Sequence, residues 1–232
     1  MAPNFKMARV ISHEVPATTY HDIVFETEEY VEFLSGQYLT CKVAEARLNS
    51  YSIAGRLDGN KFGFIVDSKP GGPGSQYFAG LKPGDEMPFL GPFGKFVLNL
   101  DDGAEELIFL GTGSGIAPLK CMLEEALRVR GSQKKMKLYF GLRHSEDLFW
   151  NEYFHQLEEQ YSNFKFVMCL SQPNEDWVGD KGHNTELLRR DYQSLSHASI
   201  YLCGGIKMIE EAVEIAKEMQ MPEERIYHEK FF

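Results

Sequence analysis

The sequence predicts two unlike halves: an N-terminal antiparallel β-barrel over residues 1–102 and a C-terminal parallel-sheet, nucleotide-binding-type α/β domain over residues 103–232. Two observations carry that expectation. Up to residue 100 the chain is a series of short runs rich in β-branched and aromatic residues, "ARVISHEV", "HDIVFET", "QYLTCKV", "SYSIAG", "KFGFIVD" and "KFVLNL". Such residues suit a pleated, half-buried surface, and the intervening "RLDGN", "KPGGPG", "KPGD" and "GPFG" supply turns. Many short strands at this spacing favour a closed or sandwiched antiparallel sheet, with "SQYFAGL" leaving room for a helical turn or two. Beyond "LDDGAEE" the texture changes. Strand-like "LIFLG", "KMKLYFGLR", "FKFVMCLS" and "SIYLCGG" alternate with helix-like "APLKCMLEEALRVRG", "EDLFWNEYFHQLEEQY", "NTELLRRDY" and "IKMIEEAVEIAKEMQ", and "RIYHEKFF" closes the chain as a strand. That alternation is the pattern of βαβ units on a parallel sheet.

The turn between the first strand and helix of the second half contains Gly111, Gly113 and Gly115. Glycine permits positive φ and lets a ligand approach the backbone. The helix that follows offers unpaired N–H groups and a positive dipole end, which suits a pyrophosphate. Pro118 fits the first turn, where a missing N–H costs little. The same residues also make an ordinary tight βα connection, and the G-x-G-x-G spacing departs from the common G-x-G-x-x-G dinucleotide pattern.

Composition narrows the function classes. The 232 residues are 43% hydrophobic and 25% charged, with a formal net charge of −10. The acidity is shared, with 9 basic and 13 acidic residues up to position 103 and 15 and 21 beyond it. A nucleic-acid partner needs a basic face and is not expected. Cys41, Cys121, Cys169 and Cys203 stand far apart, without the close spacing of an iron–sulfur or other metal site, and read as reduced thiols. With no signal-like N-terminus and no 18-residue apolar window, a cytoplasmic protein with no membrane span is expected.

Eight motifs fall in a telling order: "FLSGQYL" (33–39), "SYSIAG" (50–55), "GGPGSQYF" (71–78), "GDEMPFLGPFGKF" (84–96), "GTGSGIAPL" (111–119), "YFGLRHSEDLFW" (139–150), "LCGGIKMIEEA" (202–212) and the terminal "YHEKFF". Together they resemble the ferredoxin–NAD(P)+ reductase superfamily, in which a flavin-binding β-barrel precedes a pyridine-nucleotide domain. The resemblance implies FAD, in preference to FMN, as cofactor and NADH or NADPH as substrate. It implies that Tyr51 lies against the flavin ring and that Ser52 hydrogen-bonds near flavin N5, where hydride arrives. Gly74 and Ser75 would take flavin phosphate at a short helix's N-terminus, with Asn49 and Val66 as further contacts. Gly111, Thr112, Gly113 and Ile116 would line the path of the nicotinamide nucleotide, joined by Pro118, Arg143 and Gly204. Cys203 would sit near the reactive nicotinamide carbon, Glu229 at the flavin edge, and Phe231 or Phe232 on the flavin's second face. Ser52, Cys203 and Glu229 are thus the candidate catalytic residues.

The chain departs from the family pattern in two places. Asn49 stands where an Arg usually meets flavin phosphate, and Arg47, two residues earlier, shares its face if no bulge intervenes. Gln172 and His183 occupy positions where NADPH-using relatives commonly carry Arg, which favours NADH. The implied activity is that of an NAD(P)H-dependent flavoprotein oxidoreductase passing electrons to a ferredoxin or an oxygenase component. Free flavin as a substrate, or a non-catalytic flavin-binding redox or regulatory subunit, remain open alternatives. The basic run "RVRGSQKKMK" reads either as a docking patch for an acidic carrier or as a helix C-terminus and a solvated loop.

Overall fold

A computed structural model describes the backbone of residues 4–231 and the side chains of residues 4–230. The first half contains β1 (Lys6–Ala17), β2 (Tyr20–Thr27), β3 (Tyr38–Ala44), β4 (Arg47–Ser52), β5 (Gly55–Arg56), β6 (Lys61–Asp67), α1 (Pro73–Gly80) and β7 (Glu86–Phe93). Its sheet is antiparallel, in the order β4-β3-β7-β1-β2-β6-β5. The two edge strands, β4 and β5, are consecutive in the chain and joined only by Ile53 and Ala54. A sheet whose opposite edges are tied by so short a link must curl until they meet. Ile53 N–H donates to the Gln37 carbonyl and Ala54 N–H to that of Gly63. The curl is filled by interlocked aromatics, Phe25, Phe62, Phe64, Phe78 and Phe89, all fully buried. Phe78 comes from α1, which plugs one end of the barrel.

The second half contains β8 (Glu106–Thr112), a 3-10 turn at Gly113–Gly115, α2 (Ile116–Glu124), β9 (Lys135–Leu142), α3 (Asn151–Gln160), β10 (Phe164–Leu170), β11 (Asp180–Lys181), α4 (Asn184–Asp191), β12 (Ala198–Gly205), α5 (Ile206–Glu218) and β13 (Ile226–Phe231). The sheet is parallel in the order β11-β10-β9-β8-β12-β13. Both of its faces are covered, which is why β8 reads as an unbroken apolar run. Leu107 and Phe109 pack toward α2 and α3, while Ile108 and Leu110 pack toward α4 and α5. The fold class expected from the sequence is the one observed.

Three local expectations need correction. "KFVLNL" is not a strand; it is a connector whose polar groups are bonded to the second half. Asn99 N–H donates to Tyr201 Oη at 3.0 Å, and Asp102 Oδ2 accepts from Ser199 Oγ at 2.5 Å and Tyr227 Oη at 3.2 Å. The helix after the glycine turn changes at Glu124 to a π-helical stretch, Glu125–Val129, before Gly131 turns the chain with φ 59°. The helix expected from "EDLFW" onward starts only at Asn151, because Trp150 adopts left-handed backbone, φ 52°. Within the basic run, Arg130 pairs with Glu125 and Lys137 with Asp191, so two of its charges are already partnered.

Asp191 gathers Lys137 Nζ (2.6 Å), Arg190 Nε (2.7 Å) and Tyr139 Oη (2.8 Å) at the end of α4. Burial alone would raise its carboxyl, but these hydrogen bonds outweigh burial and hold it well below the ordinary carboxylate range. Its stabilising contribution is complete above the unfolded value of about 3.9 and is lost as pH falls from there through the depressed folded value. Asp191→Asn therefore lowers the melting temperature at pH 7, and the gap to wild type narrows below about pH 4. A gap in thermal denaturation that is constant with pH would refute this account.

Candidate functional site: a crevice between the barrel and the parallel sheet

In the parallel sheet β9, β10 and β11 lie to one side of β8, and β12 and β13 to the other. The connections therefore diverge between β8 and β12, and the crevice outside their C-terminal ends is where such sheets bind ligands. Here Thr112 ends β8, Gly113 takes φ 55°, and Gly204 at the end of β12 takes φ 141°. The two strand ends touch through backbone. A Cβ on Gly115 would stand 2.6 Å from the carbonyl carbon of Cys203 and from Gly204 N. Gly205 N–H donates to Thr112 Oγ1 at 3.1 Å, and the buried Asn184 donates from Nδ2 to the Gly111 carbonyl at 3.2 Å. Ile116 and Pro118 are buried in the first turn of α2, so they shape the turn from behind. A cavity of about 520 Å³ opens in front of it, lined by Thr112, Gly113, Arg143, Gln172, His183 and Asn184. Exposed Arg143 donates from Nε to Gln172 Oε1 at 3.2 Å.

On the barrel side, Arg47, Asn49 and Tyr51 alternate along one face of β4. Arg47 Nε donates to Asn49 Oδ1 at 3.2 Å; the bulge in this hairpin falls on β3, so β4 keeps its alternation. The Tyr51 ring leans on Phe78 of α1 at 4.3 Å between centroids. Its phenol is pushed up to about 12, chiefly by burial, with the Asn49 hydrogen bond opposing. Gly74 leaves the space this group needs: a Cβ there would overlap the Tyr51 hydroxyl and lie 2.8 Å from Asn49 Nδ2. In the first turn of α1, Pro73 has no N–H and Gln76 N–H is bonded to Gly72. The N–H groups of Gly74 and Ser75 lie in the first turn, where a helix has no internal acceptor for them; Gly74 itself is buried under Tyr51 and Asn49, and the Ser75 hydroxyl donates to the Asp67 carbonyl at 3.4 Å. Val66 is 4% exposed within the barrel core, so of this residue only backbone is available to a ligand.

The two sides meet at Ser52. Its Oγ donates to Glu229 Oε2 at 3.3 Å across the crevice. In register, Cys203 stands between Gly111 on β8 and Glu229 on β13. Burial raises the Glu229 carboxyl against the opposing Ser52 hydrogen bond. Burial, with the Glu229 charge adding to it, raises the Cys203 thiol well above its ordinary value, so this sulfur stays protonated. The backbone of Phe231 pairs with Gly205, but its side chain and all of Phe232 lie outside the described residues. Several lining groups carry no local signal in the sequence. Tyr20 sits beyond the β1–β2 turn against Phe149 at 4.4 Å, and Asp67 and Lys69 reach the cavity from the end of β6. Only the pairing of the barrel with the second half makes them neighbours of Arg143.

Family comparisons agree with this arrangement. A model for the oxidoreductase FAD-binding domain matches residues 7–98, and one for the oxidoreductase NAD-binding domain matches residues 109–214. The structure of Amycolatopsis cytochrome P450 reductase is similar over 98% of this chain and 70% of its own, at 30% identity and a TM-score of 0.90. The chain belongs to the ferredoxin–NAD(P)+ reductase superfamily. It is an FAD- and NAD-binding oxidoreductase. One subunit of the Na(+)-translocating NADH-quinone reductase of Marinomonas sp. (strain MWYL1) is 29% identical over 98% of the chain, which spans 60% of that relative's length. A ferredoxin NADP+ reductase from Neisseria gonorrhoeae, solved with FAD and NADP bound, shares the fold at 19% identity and a TM-score of 0.88, over 99% of this chain and all of its own. Among the described residues no helix is long and apolar enough to cross a membrane.

The residues present fit both groups. The N-terminal turn of α1, beside Asn49 and the Arg47 that is hydrogen-bonded to it, suits an anionic flavin tail, and the positive-φ turn at Gly113 that opens on the cavity and leads into α2 suits a nucleotide phosphate. Gly115→Ala would force α2 away from β12 at a cost of about 1–3 kcal/mol. NAD+ binding to the flavin-loaded protein is therefore expected to weaken about tenfold by calorimetry, with the flavin spectrum unchanged. Unaltered NAD+ affinity would show that this contact does not shape the nucleotide site.

Proposed function

We propose that this chain oxidises NADH and delivers the electrons, through its FAD, to a protein acceptor outside these residues. The observation that carries the reading is the convergence of Ser52 from the barrel with Glu229, beside Cys203 at the C-terminal end of β12 and next in register to Gly111 of the glycine turn. Bound flavin supplies the conversion between two-electron exchange with nicotinamide and one-electron delivery. The protein's share is position and proton handling. Tyr51 supports the ring system, Gly74 and Ser75 meet the phosphates through N–H groups, and Arg47, oriented by Asn49, supplies the positive charge that position 49 lacks. The Ser52 hydroxyl, which donates to Glu229 Oε2, would pass its proton to that carboxylate and take in exchange one given up by the bound flavin on reoxidation, so Glu229 would work in its ionised form. Cys203, protonated and buried, packs against the nicotinamide rather than attacking it.

NADH is favoured over NADPH because the cavity offers Gln172 and His183, and Arg143 is engaged with Gln172, leaving no fork of free guanidinium groups there for a 2′-phosphate. A protein acceptor is favoured by two of the similar structures, one named as a cytochrome P450 reductase and the other as the ferredoxin reductase in carbazole 1,9a-dioxygenase. The cysteines here are separate and buried, so a cluster carrier would be supplied from elsewhere.

The first test is a visible spectrum after purification and desalting without added flavin, followed by anaerobic titration with NADH and with NADPH. A retained flavin band that bleaches at lower NADH than NADPH concentration is expected. A colourless protein that reduces added flavin would make flavin the substrate, and a held flavin that neither coenzyme bleaches would overturn the enzymatic reading. Loss of the charge-assisted contact in Arg47→Ala is expected to weaken FAD binding by about 10- to 100-fold; an unchanged dissociation constant would leave the phosphate without its assigned cation. Turnover with an electron acceptor is expected to rise as pH climbs through the Glu229 value, which lies above the ordinary ~4.3. Glu229→Gln would remove that limb and slow turnover about 100-fold; a mutant with the wild-type pH profile would exclude the relay.

A further inference from the structure

Beside the crevice, the barrel and the parallel-sheet half meet around a single ammonium. Lys120 lies on α2, about one turn beyond Ile116. Its Nζ donates to Glu124 Oε1 at 2.8 Å and to the Ala54 carbonyl, in the link between β4 and β5, at 3.3 Å. The rings of Trp150 and Tyr153 flank it, with centroids at 5.2 and 4.9 Å, and Tyr153 Oη also donates to Glu124. Only 12% of the Lys120 side chain and 16% of that of Glu124 remain exposed. Gly55 makes room for the pair: a Cβ there would stand 2.8 Å from Glu124 Oε2 and 3.1 Å from Lys120 Nζ. Next to it, Trp150 donates from Nε1 to Asp22 Oδ2 on β2 at 2.8 Å. Left-handed backbone at a tryptophan persists only where the surroundings over-determine it, and this contact is part of what does so.

An ammonium this enclosed is retained only with its partners in place, and one of those partners belongs to the other half of the molecule. The accepting carbonyl is two residues beyond Ser52, and the donating helix begins where the glycine turn ends. Lys120 therefore ties those two places directly. We propose that Lys120 is a positioning residue: it locks α2 to the backbone behind Ser52 and thereby fixes the spacing between the nicotinamide and flavin sides of the crevice. The effect is large because electron-pair transfer between two held groups is steep in distance, with about 1 Å of misplacement able to cost about 100-fold. The inference rests on the crevice being the place where NADH is oxidised.

Two variants separate positioning from folding. Lys120→Met leaves Glu124 enclosed without its cation, whereas Lys120→Met with Glu124→Leu removes both charges and fills the space with apolar atoms. The flavin-loaded proteins are mixed with NADH in anaerobic stopped flow, and amide hydrogen exchange of residues 53–56 and 116–124 is followed without coenzyme. At saturating NADH, reduction is expected to slow at least about tenfold in both variants, with NADH affinity within about threefold of wild type. Exchange in the link and in α2 is expected to quicken about tenfold while β1 and β2 keep their protection. The double variant is expected to regain thermal stability without regaining rate. Wild-type rates in Lys120→Met, a double variant restored in both rate and stability, or unchanged exchange would each overturn the proposal. If wild type itself is not reduced by NADH, the electron-transfer reading fails separately, and the exchange data alone then decide whether Lys120 holds the two halves together.

Discussion

Ile53 and Ala54 tie opposite edges of a seven-stranded sheet, and much of the molecule is arranged by that short link. Because β4 and β5 must stay within two residues of each other, the sheet closes, its aromatic interior is enclosed, and the end of β4 becomes a rim. Tyr51 and Ser52 stand on that rim because they end the strand. The same link presents the Ala54 carbonyl and the bare backbone of Gly55 outward, where α2 packs against them. Barrel closure and one of the contacts that dock the two halves therefore share the same short stretch of chain.

The crevice then pairs two kinds of surface. On the parallel-sheet side, glycines at 115 and 204 let the turn after β8 and the end of β12 pack backbone against backbone, and Gly113 turns the chain with positive φ beside the cavity. On the barrel side, a chain of polar groups from Arg47 through Asn49 to Tyr51 runs toward the start of α1. Between them Glu229 is half-buried, with Ser52 as its hydrogen-bond donor. Desolvation and hydrogen bonding act in opposite senses on this carboxyl, and desolvation is the larger. Cys203 feels only effects that favour the neutral thiol apart from one weak backbone contact, which suits an apolar wall.

The connector between the halves illustrates how local pattern and tertiary demand diverge. "KFVLNL" has the alternation of a strand, yet Asn99 and Asp102 spend their hydrogen bonds on Tyr201, Tyr227 and Ser199. Stacked Tyr201 and Tyr227, 4.7 Å apart, present both hydroxyls to the connector. A ladder partner would have to displace that network. Trp150 is the same lesson in a helix. Its local sequence permits a helical turn, and the left-handed backbone follows instead from where Asp22 and Lys120 require the indole to be.

By itself the sequence determined most of the barrel strands, the β/α alternation, the glycine turn and some of the residues that line the crevice, Thr112, Gly113 and Arg143 among them. Those features are written in short-range terms: period-2 apolar runs, glycine where the backbone must approach, and proline in a first helical turn. The tertiary structure decided which of them meet. The Ser52–Glu229 contact spans 177 positions and the Lys120–Ala54 contact 66, and no local pattern encodes either. It also decided that Arg47 shares a face with Asn49, because the hairpin's bulge falls on β3 rather than on β4. Distances across a crevice depend on how two separately folded surfaces dock, and docking is settled by the summed fit of buried groups from both, which a reading along the chain cannot sum.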